Sequence, residues 1–376
     1  MSRHIAVVEP QMEGIFHAPF NAALLHSIAL AYPEATLSFR AFPSHLQVVQ
    51  SILQQHAPGL LDRIQWRPSE PPATTSLLAR WRHGSRAMRE ILAPREPIVF
   101  CSISRMQLLQ LKRAMRPGDV VRAVLHGDLE AIEQPPADRF PLSLFSLPRV
   151  LLQRQPVGLR YIILSRSIWE NVPPRFQQAM GSVGIIDHPY HFPPIEPTPV
   201  NSLIFATFGN TGSGQDLETI ASSVKEVNPQ IRFRLIGFLV DQASVDRLSP
   251  YVEDAGCIPI ARDVFLEHAR SVTHTLWLCP PGHFRLRASG TFFDALAHGK
   301  PLVYTANPYI DSYYAEEPGI GVRCATAADA PQAILSLAAH HTAEGYAAAQ
   351  AAIERLRKRF TPEEQAKILP DALRLE

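Results

Sequence analysis

The segment Pro280–Pro301, PPGHFRLRASGTFFDALAHGKP, carries residue types suited to holding an anion. Ser289 is placed to cap a helix, its hydroxyl accepting from an amide two or three residues on. Gly290 lets the backbone come close to a ligand. The free amides of Gly290, Thr291 and Phe292, with the helix dipole behind them, make a site for a phosphate. Arg285 and Arg287 stand just before that turn and can clamp a diphosphate through paired donors. Asp294, about one turn into the helix, can accept from sugar hydroxyls. The same residues would also serve as a plain capped helix with two solvent-facing arginines.

A second segment, Phe208–Asp216 (FGNTGSGQD), again joins a strand pattern to a helix pattern. Gly209, Gly212 and Gly214 make the loop pliable, and Asn210, Thr211 and Ser213 add polar groups. It lacks the GK[ST] of a Walker loop and the spacing of a GxGxxG fingerprint. It follows the first strand of the second half, at the carboxyl edge where open α/β sheets bind ligands. In the first half, His126, Gly127 and Asp128 end the run VVRAVL. A histidine beside a carboxylate at a strand's carboxyl end can act as a base or an orienting donor. Glu13, Gly14 and His17 occupy the loop after the first strand.

These residues need elements to hold them. Short apolar runs alternate with helix-period patterns: strands are expected over Ile5–Val8, Thr36–Phe42, Pro97–Ser102, Val120–Leu125 and Tyr161–Leu164. In the second half they are expected over Leu203–Phe208, Arg232–Phe238, a short Cys257–Pro259 run, His274–Cys279 and Leu302–Tyr304. Helices are expected over Phe20–Ala31, Leu46–Gln55, Met106–Met115, Asp216–Val227, Asp263–Ser271, from Ser289, and from Ala327 onward. Alternation of this kind means βαβ units and mostly parallel sheets. Five prolines between Gly184 and Ser202 mark a linker. The expected plan is a domain over 1–185, a linker over 186–202, a domain over 203–350, and a helical segment over 351–376 that packs back on the first domain.

The 376 residues exceed one ordinary core, and 36 Lys+Arg against 35 Asp+Glu leave a formal charge of +1. That balance argues against a dedicated nucleic-acid binder. The four cysteines (Cys101, Cys257, Cys279 and Cys324) form no CxxC pair and have no histidine at zinc spacing, so they read as reduced thiols of a cytosolic protein. No run approaches the ~20 apolar residues of a membrane span, and the N-terminus has no signal-peptide pattern. Arg80 to Arg122 is locally basic, with ten cations and three acids. Leu77, Leu78, Trp81, Met88, Ile91 and Leu92 interleave with it as an amphipathic helix suited to an anionic membrane surface.

The order of these pieces resembles the nucleotide-sugar domain of GT-B glycosyltransferases of the broad family 4. The matching stretches are FATFGNTGSG, RLIGF, GCIPIARDVFLEHARSVTHTLWLCPP and RLRASGTFFDALAHGKPLVYT, of which FDALAHGKPLV resembles that family's helix-plus-strand signature. The likeness covers roughly residues 200–325; IAVVEP, VLHGDLE, YIILS and IIDHPYHFP match more loosely. Asp294 stands where family 4 usually carries the second of two glutamates, and Leu286 where it carries the first. The Arg and Lys usual after the first strand of that domain are absent from FGNTGSGQD.

The resemblance implies an α/β GT-B fold, with two Rossmann-like doubly wound domains facing across a cleft. It implies a metal-independent glycosyltransferase that uses a nucleotide-diphosphate sugar, acts on a glycan or lipid-linked acceptor, and works in bacterial surface polysaccharide synthesis. Gly209, Asn210, Thr211, Gly212, Arg285, Arg287, Ser289, Gly290 and Thr291 would hold the diphosphate, and Asp294 the sugar. The base and ribose would lie near Gly237 and Ile258. His126 would contact the donor sugar near its anomeric centre, and Gly14 and His17 would meet the acceptor. An inverting reaction needs a base on the acceptor hydroxyl, with Glu13, His17 and Asp128 as candidates; a retaining one does not. Helix amides and arginines would neutralise the leaving diphosphate, so no cofactor or metal is expected. The expected location is cytoplasmic, peripheral at the inner membrane face. Two rivals share the architecture: a nucleotide-sugar 2-epimerase and a non-catalytic binding protein.

Overall fold

The structure, a computed structural model, describes residues 4–71, 76–133, 142–198, 202–280 and 282–375. Residues 199–201 of the expected linker lie outside them. The chain divides into two compact units. The first runs to His191 and takes in the short segment Arg285–Ala288 and the stretch from Arg359; the second comprises Phe192–Phe284 and Ser289–Lys358.

The first unit holds seven strands: β1 His4–Val8, β2 Thr36–Ala41, β3 Ile64–Pro68, β4 Ile98–Phe100, β5 Val121–Val124, β6 Leu159–Ile163 and β7 Gly184–Ile185. All are parallel, in the order β3-β2-β1-β4-β5-β6-β7. Ile5, Val7, Ile98, Val99, Val121, Ala123, Ile162 and Ile163 are buried, as continuous apolar strands covered on both faces should be. Winding reverses between β1 and β4, so the loops after these two strands flank a crevice at their carboxyl ends.

The second unit holds β8 Ile204–Asn210, β9 Arg232–Phe238, β10 His274–Trp277, β11 Leu302–Thr305 and β12 Gly321–Cys324, again parallel, in the order β12-β11-β10-β8-β9. Its reversal falls between β8 and β10. Phe205, Phe233, Leu235 and Val303 pack with Leu217, Ile220 and Val224 of the helix Gln215–Val227 to form its core.

Two expectations need correction. Cys257–Pro259 forms no strand, and Ile258 is 75% exposed. Arg122, counted in the locally basic window, does not lie on its amphipathic helix. It is buried in β5, and its guanidinium donates to the Leu373 and Arg374 carbonyls and to Gly158 O at 3.0 Å. A strand cation thus ties the chain's last helix, Pro362–Leu373, to the first sheet. That helix packs on Ala18–Ala31, and Arg359 pairs with Asp187 at 2.8 Å. Cys101, Cys279 and Cys324 are buried and Cys257 is exposed; all four are free thiols.

Candidate active site

In the second unit the reversal between β8 and β10 is flanked by the two segments whose composition suggested anion binding. The first, after β8, closes on itself. The Asn210 carboxamide accepts from the Gly212 amide at 2.9 Å, Thr211 N donates to Phe238 O at 3.1 Å, and Gly214 N donates to Thr211 O at 3.1 Å. Gly209, Gly212 and Gly214 all have left-handed backbones, φ +73°, +62° and +68°, which side chains rarely adopt. The expected pliable loop is therefore a fixed turn that has already spent several of its amides. Gly237 lies opposite Gly209 in the register, and a Cβ on it would sit 1.8 Å from Gly209 O. Only glycine fits there, so Gly237 shapes the edge by its lack of a side chain.

The second segment, after β10, opens the helix Gly290–Ala297. Ser289 is its N-cap: fully buried, it accepts from Phe292 N at 3.3 Å and from the Trp277 indole at 2.9 Å. Its hydroxyl also meets Thr291 Oγ1 at 3.1 Å, so Thr291 is oriented by the cap. Among the described residues nothing accepts from the amides of Gly290 and Thr291, the donors an anion needs. A Cβ on Gly290 would meet open space. A Cβ on Gly209 would reach 2.9 Å from Thr291 Cγ2, so the two segments converge. Asp294 is half-buried about one turn further along the same helix.

Arg285 and Arg287 are not free clamps. Counted with the first unit, Arg285 donates to Glu133 at 3.2 Å and to Asn171 Oδ1 at 3.1 Å, and Arg287 pairs with Glu130 at 3.1 Å. A diphosphate would have to displace these carboxylates. Leu286 between them is fully buried.

In the first unit the carboxyl ends of β1, β5 and β7 gather a histidine cluster that sequence spacing did not reveal. His126 stacks on His17, ring centroids 3.9 Å apart, and meets His188 edge-on at 5.2 Å and Phe20 at 4.6 Å. Burial holds all three imidazoles neutral: His126 well below its ordinary value, His17 down to about 4 and His188 to about 3. His17 also takes a left-handed backbone, φ +58°, as it opens the helix Ala18–Ala31. Such rings can donate or accept a hydrogen bond but carry no charge near neutral pH, which disfavours His17 as a strong base. Asp128 opens the short turn Asp128–Ile132 after β5, and burial pushes its carboxyl up to about 6 against the opposing pull of Arg105. A carboxylate poised there is suited to take a proton. Glu13 is exposed to solvent.

A buried residue outside the sequence expectations organises this edge. Glu9, at the end of β1, accepts from Ser102 Oγ at 2.6 Å, from Gln11 N at 3.1 Å and from Asn21 Nδ2 at 3.3 Å. Burial raises its pKa, and those bonds pull it back. Asn21 in turn meets His45 Nε2 at 2.8 Å, and His45 Nδ1 lies 2.9 Å from Gly14 O, which fixes Nδ1 as the donor. The chain Ser102–Glu9–Asn21–His45–Gly14 pins the loop carrying Glu13, Gly14 and His17. A glutamate at the end of an apolar strand, followed by proline, was the available signal. Among the described residues no group of three or more His, Cys, Asp or Glu is placed to hold a metal ion, and no helix is long and apolar enough to cross a membrane.

No protein-family model and no curated protein matches the chain. Solved structures do. A glycosyltransferase from Rickettsia africae is similar over 100% of this chain and 98% of its own, with TM-score 0.64 at 10% identity. HepE from Anabaena, solved with UDP-glucose, is similar over 99% of both chains, with TM-score 0.64 at 15% identity. WaaG, a glycosyltransferase involved in lipopolysaccharide biosynthesis, is similar over 97% of this chain and 99% of its own, with TM-score 0.58 at 12% identity. At such identities the likeness is one of fold, and that fold is the two-domain α/β architecture of GT-B glycosyltransferases.

Proposed function

We propose that this chain is a glycosyltransferase that moves a sugar from a nucleotide-diphosphate donor, UDP-linked in the first instance, to a glycan or lipid-linked acceptor. The observation that carries this reading is the pair of free amides at Gly290 and Thr291, held by the Ser289 cap at the reversal point of the second sheet. A GT-B fold over the whole chain, and neighbours solved with UDP and UDP-glucose, support the choice of ligand.

In this reading the Gly290 and Thr291 amides, with the helix dipole, stabilise the leaving diphosphate without a metal ion. Asp294 accepts from a sugar hydroxyl, and exposed Ile258 offers an apolar face to the base. Arg285 and Arg287 exchange their carboxylate partners for phosphate oxygens. Neutral His126 hydrogen-bonds to the donor sugar, and Asp128 takes the acceptor proton if the reaction inverts. The role is in bacterial surface polysaccharide synthesis, on the cytoplasmic side. Exposed Arg82, Arg86 and Arg89 of the helix Leu77–Leu92 meet an anionic membrane.

Nucleotide release from a panel of UDP-, GDP-, ADP- and dTDP-sugars, with EDTA present, tests this. Turnover of one donor class that falls at least 100-fold in His126→Ala is the expected result. Turnover at the wild-type rate in that variant, or strict dependence on a divalent ion, would refute the assigned chemistry.

A further inference from the structure

The helix Leu77–Leu92 borders two cavities, both within the first unit. One, of about 460 Å³, lies at the carboxyl ends of β1 and β2, and its lining includes Glu13, Glu70, Arg40, Arg80, His83 and Gln107. No carboxylate among the described residues pairs with Arg40 or Arg80. The other is an apolar groove of about 570 Å³ walled by Leu77, Leu78, Trp81, Leu109, Leu144 and Phe145, with Arg113 and Arg149 at its rim. The helix Arg105–Ala114 also borders both, through Gln107 and Gln110 on one side and Leu109 and Arg113 on the other.

The groove is unusual for a protein surface. Leu78 and Leu144 are 58% and 47% exposed, yet they face the same space as the Trp81 and Phe145 rings, whose centroids lie 5.4 Å apart. The Arg113 guanidinium lies over the Trp81 ring at 5.3 Å, which holds a cation at the mouth of the apolar wall. Exposed aliphatic residues around an aromatic pair, rimmed by arginines and with no acid among the described residues of the lining, suit a hydrocarbon chain that ends in an anion.

We propose that the groove Leu77–Leu78–Trp81–Leu144–Phe145 seats the hydrocarbon chain of a lipid-linked acceptor, with Arg113 and Arg149 on the phosphate that joins chain to sugar. This rests on the glycosyltransferase reading and narrows its acceptor to an anionic lipid-linked one. Such an occupant differs from a flat bilayer surface in filling a concave groove walled by two helices and an aromatic pair.

The probe is dodecyl phosphate below its micellar concentration, added to the full-length protein and followed by tryptophan fluorescence, with Trp81→Phe as the spectral control. Saturable one-to-one binding is expected, with inorganic phosphate and dodecyl maltoside at least tenfold weaker. Leu78→Glu/Leu144→Glu places both charges in already exposed positions and should weaken dodecyl phosphate at least tenfold, leaving UDP-induced thermal stabilisation intact. Should that variant misfold, Arg113→Gln/Arg149→Gln should lose the preference for dodecyl phosphate over dodecyl maltoside. Equal binding by the variants, or no binding by the wild type, overturns the proposal. So does a wild-type dimer that Leu78→Glu/Leu144→Glu dissociates, since a second copy would then cover the groove. Binding only to phosphatidylcholine–phosphatidylglycerol vesicles, with none to the single chain, overturns it in favour of bilayer docking. A UDP response without amphiphile binding sinks the groove alone, whereas amphiphile binding with no response to any nucleotide removes the acceptor role and overturns the proposal too.

Discussion

Asp128 combines burial with a place at the carboxyl end of β5, and its carboxyl sits near 6 because desolvation outweighs Arg105. If it is the base, activity rises as pH increases through about 6 and then levels off. Asp128→Asn should cut kcat by about 10²–10⁴ and flatten that limb, read from a pH–rate profile. An unchanged profile would assign Asp128 to structure. The stacked histidines make a separate, structural prediction. Unfolded imidazoles protonate near 6.5, whereas folded His17 and His188 resist until about 4 and 3. The unfolded state therefore binds more protons below 6.5, so stability is unaffected above that pH and falls as pH drops below it. Each ring contributes a slope of up to about 1.4 kcal/mol per pH unit. Thermal midpoints measured from pH 8 to 4.5 should fall with this onset, less steeply in His188→Gln. At this scale the sequence was legible where function follows local chain geometry: Ser289 reads as a cap because capping depends on residues three apart. Glu9 and His188 were not, because their partners (Ser102 and Asn21 for one, His126 and Phe20 for the other) arrive through sheet order.

Elements explain why these side chains are where they are. Ser289 holds both the first turn of its helix and Trp277 of β10, so Ser289→Ala should cost about 1–2 kcal/mol in urea unfolding, above a bare cap loss, and should weaken nucleotide binding as well. A stability loss with unaltered nucleotide binding would separate the cap from the ligand site. Arg122 makes a prediction far from any site. Arg122→Met strips the donors from the Leu373, Arg374 and Gly158 carbonyls, and should destabilise the first unit by about 2–4 kcal/mol. Apolar strand runs were legible because parallel strands are buried on both faces; β1, β2, β5, β6, β8 and β9 fall where the pattern puts them. The strands β3 (IQWRP) and β12 (GVRC) were missed, since both are edge strands at the ends of their sheets and carry a mixed composition. The Cys257–Pro259 run misled because three apolar residues in a row say nothing of burial.

For the whole molecule, two parallel sheets, each with its own reversal point, follow from the alternating pattern, and the likeness to solved glycosyltransferases over nearly the full chain agrees with it. The chain returns to the first unit at Arg359, and the buried Arg122 that anchors it read as one more cation in a basic window. In the proposed reading a nucleotide diphosphate sits on the Gly290 and Thr291 amides of the second unit. Gly290 is the first helical residue, a position where proline is tolerated, Ser289 before it is already extended, and a Cβ there meets open space. Gly290→Pro therefore removes one amide donor while sparing the helix. The decisive measurement is a thermal-shift titration of wild type and Gly290→Pro with UDP, GDP, ADP and dTDP, with and without EDTA. One diphosphate should stabilise the wild type regardless of EDTA. Gly290→Pro should keep its ligand-free midpoint and bind that diphosphate about tenfold to a hundredfold more weakly. A Gly290→Pro variant that responds like the wild type, or a wild type that responds to none of the four, would contradict it.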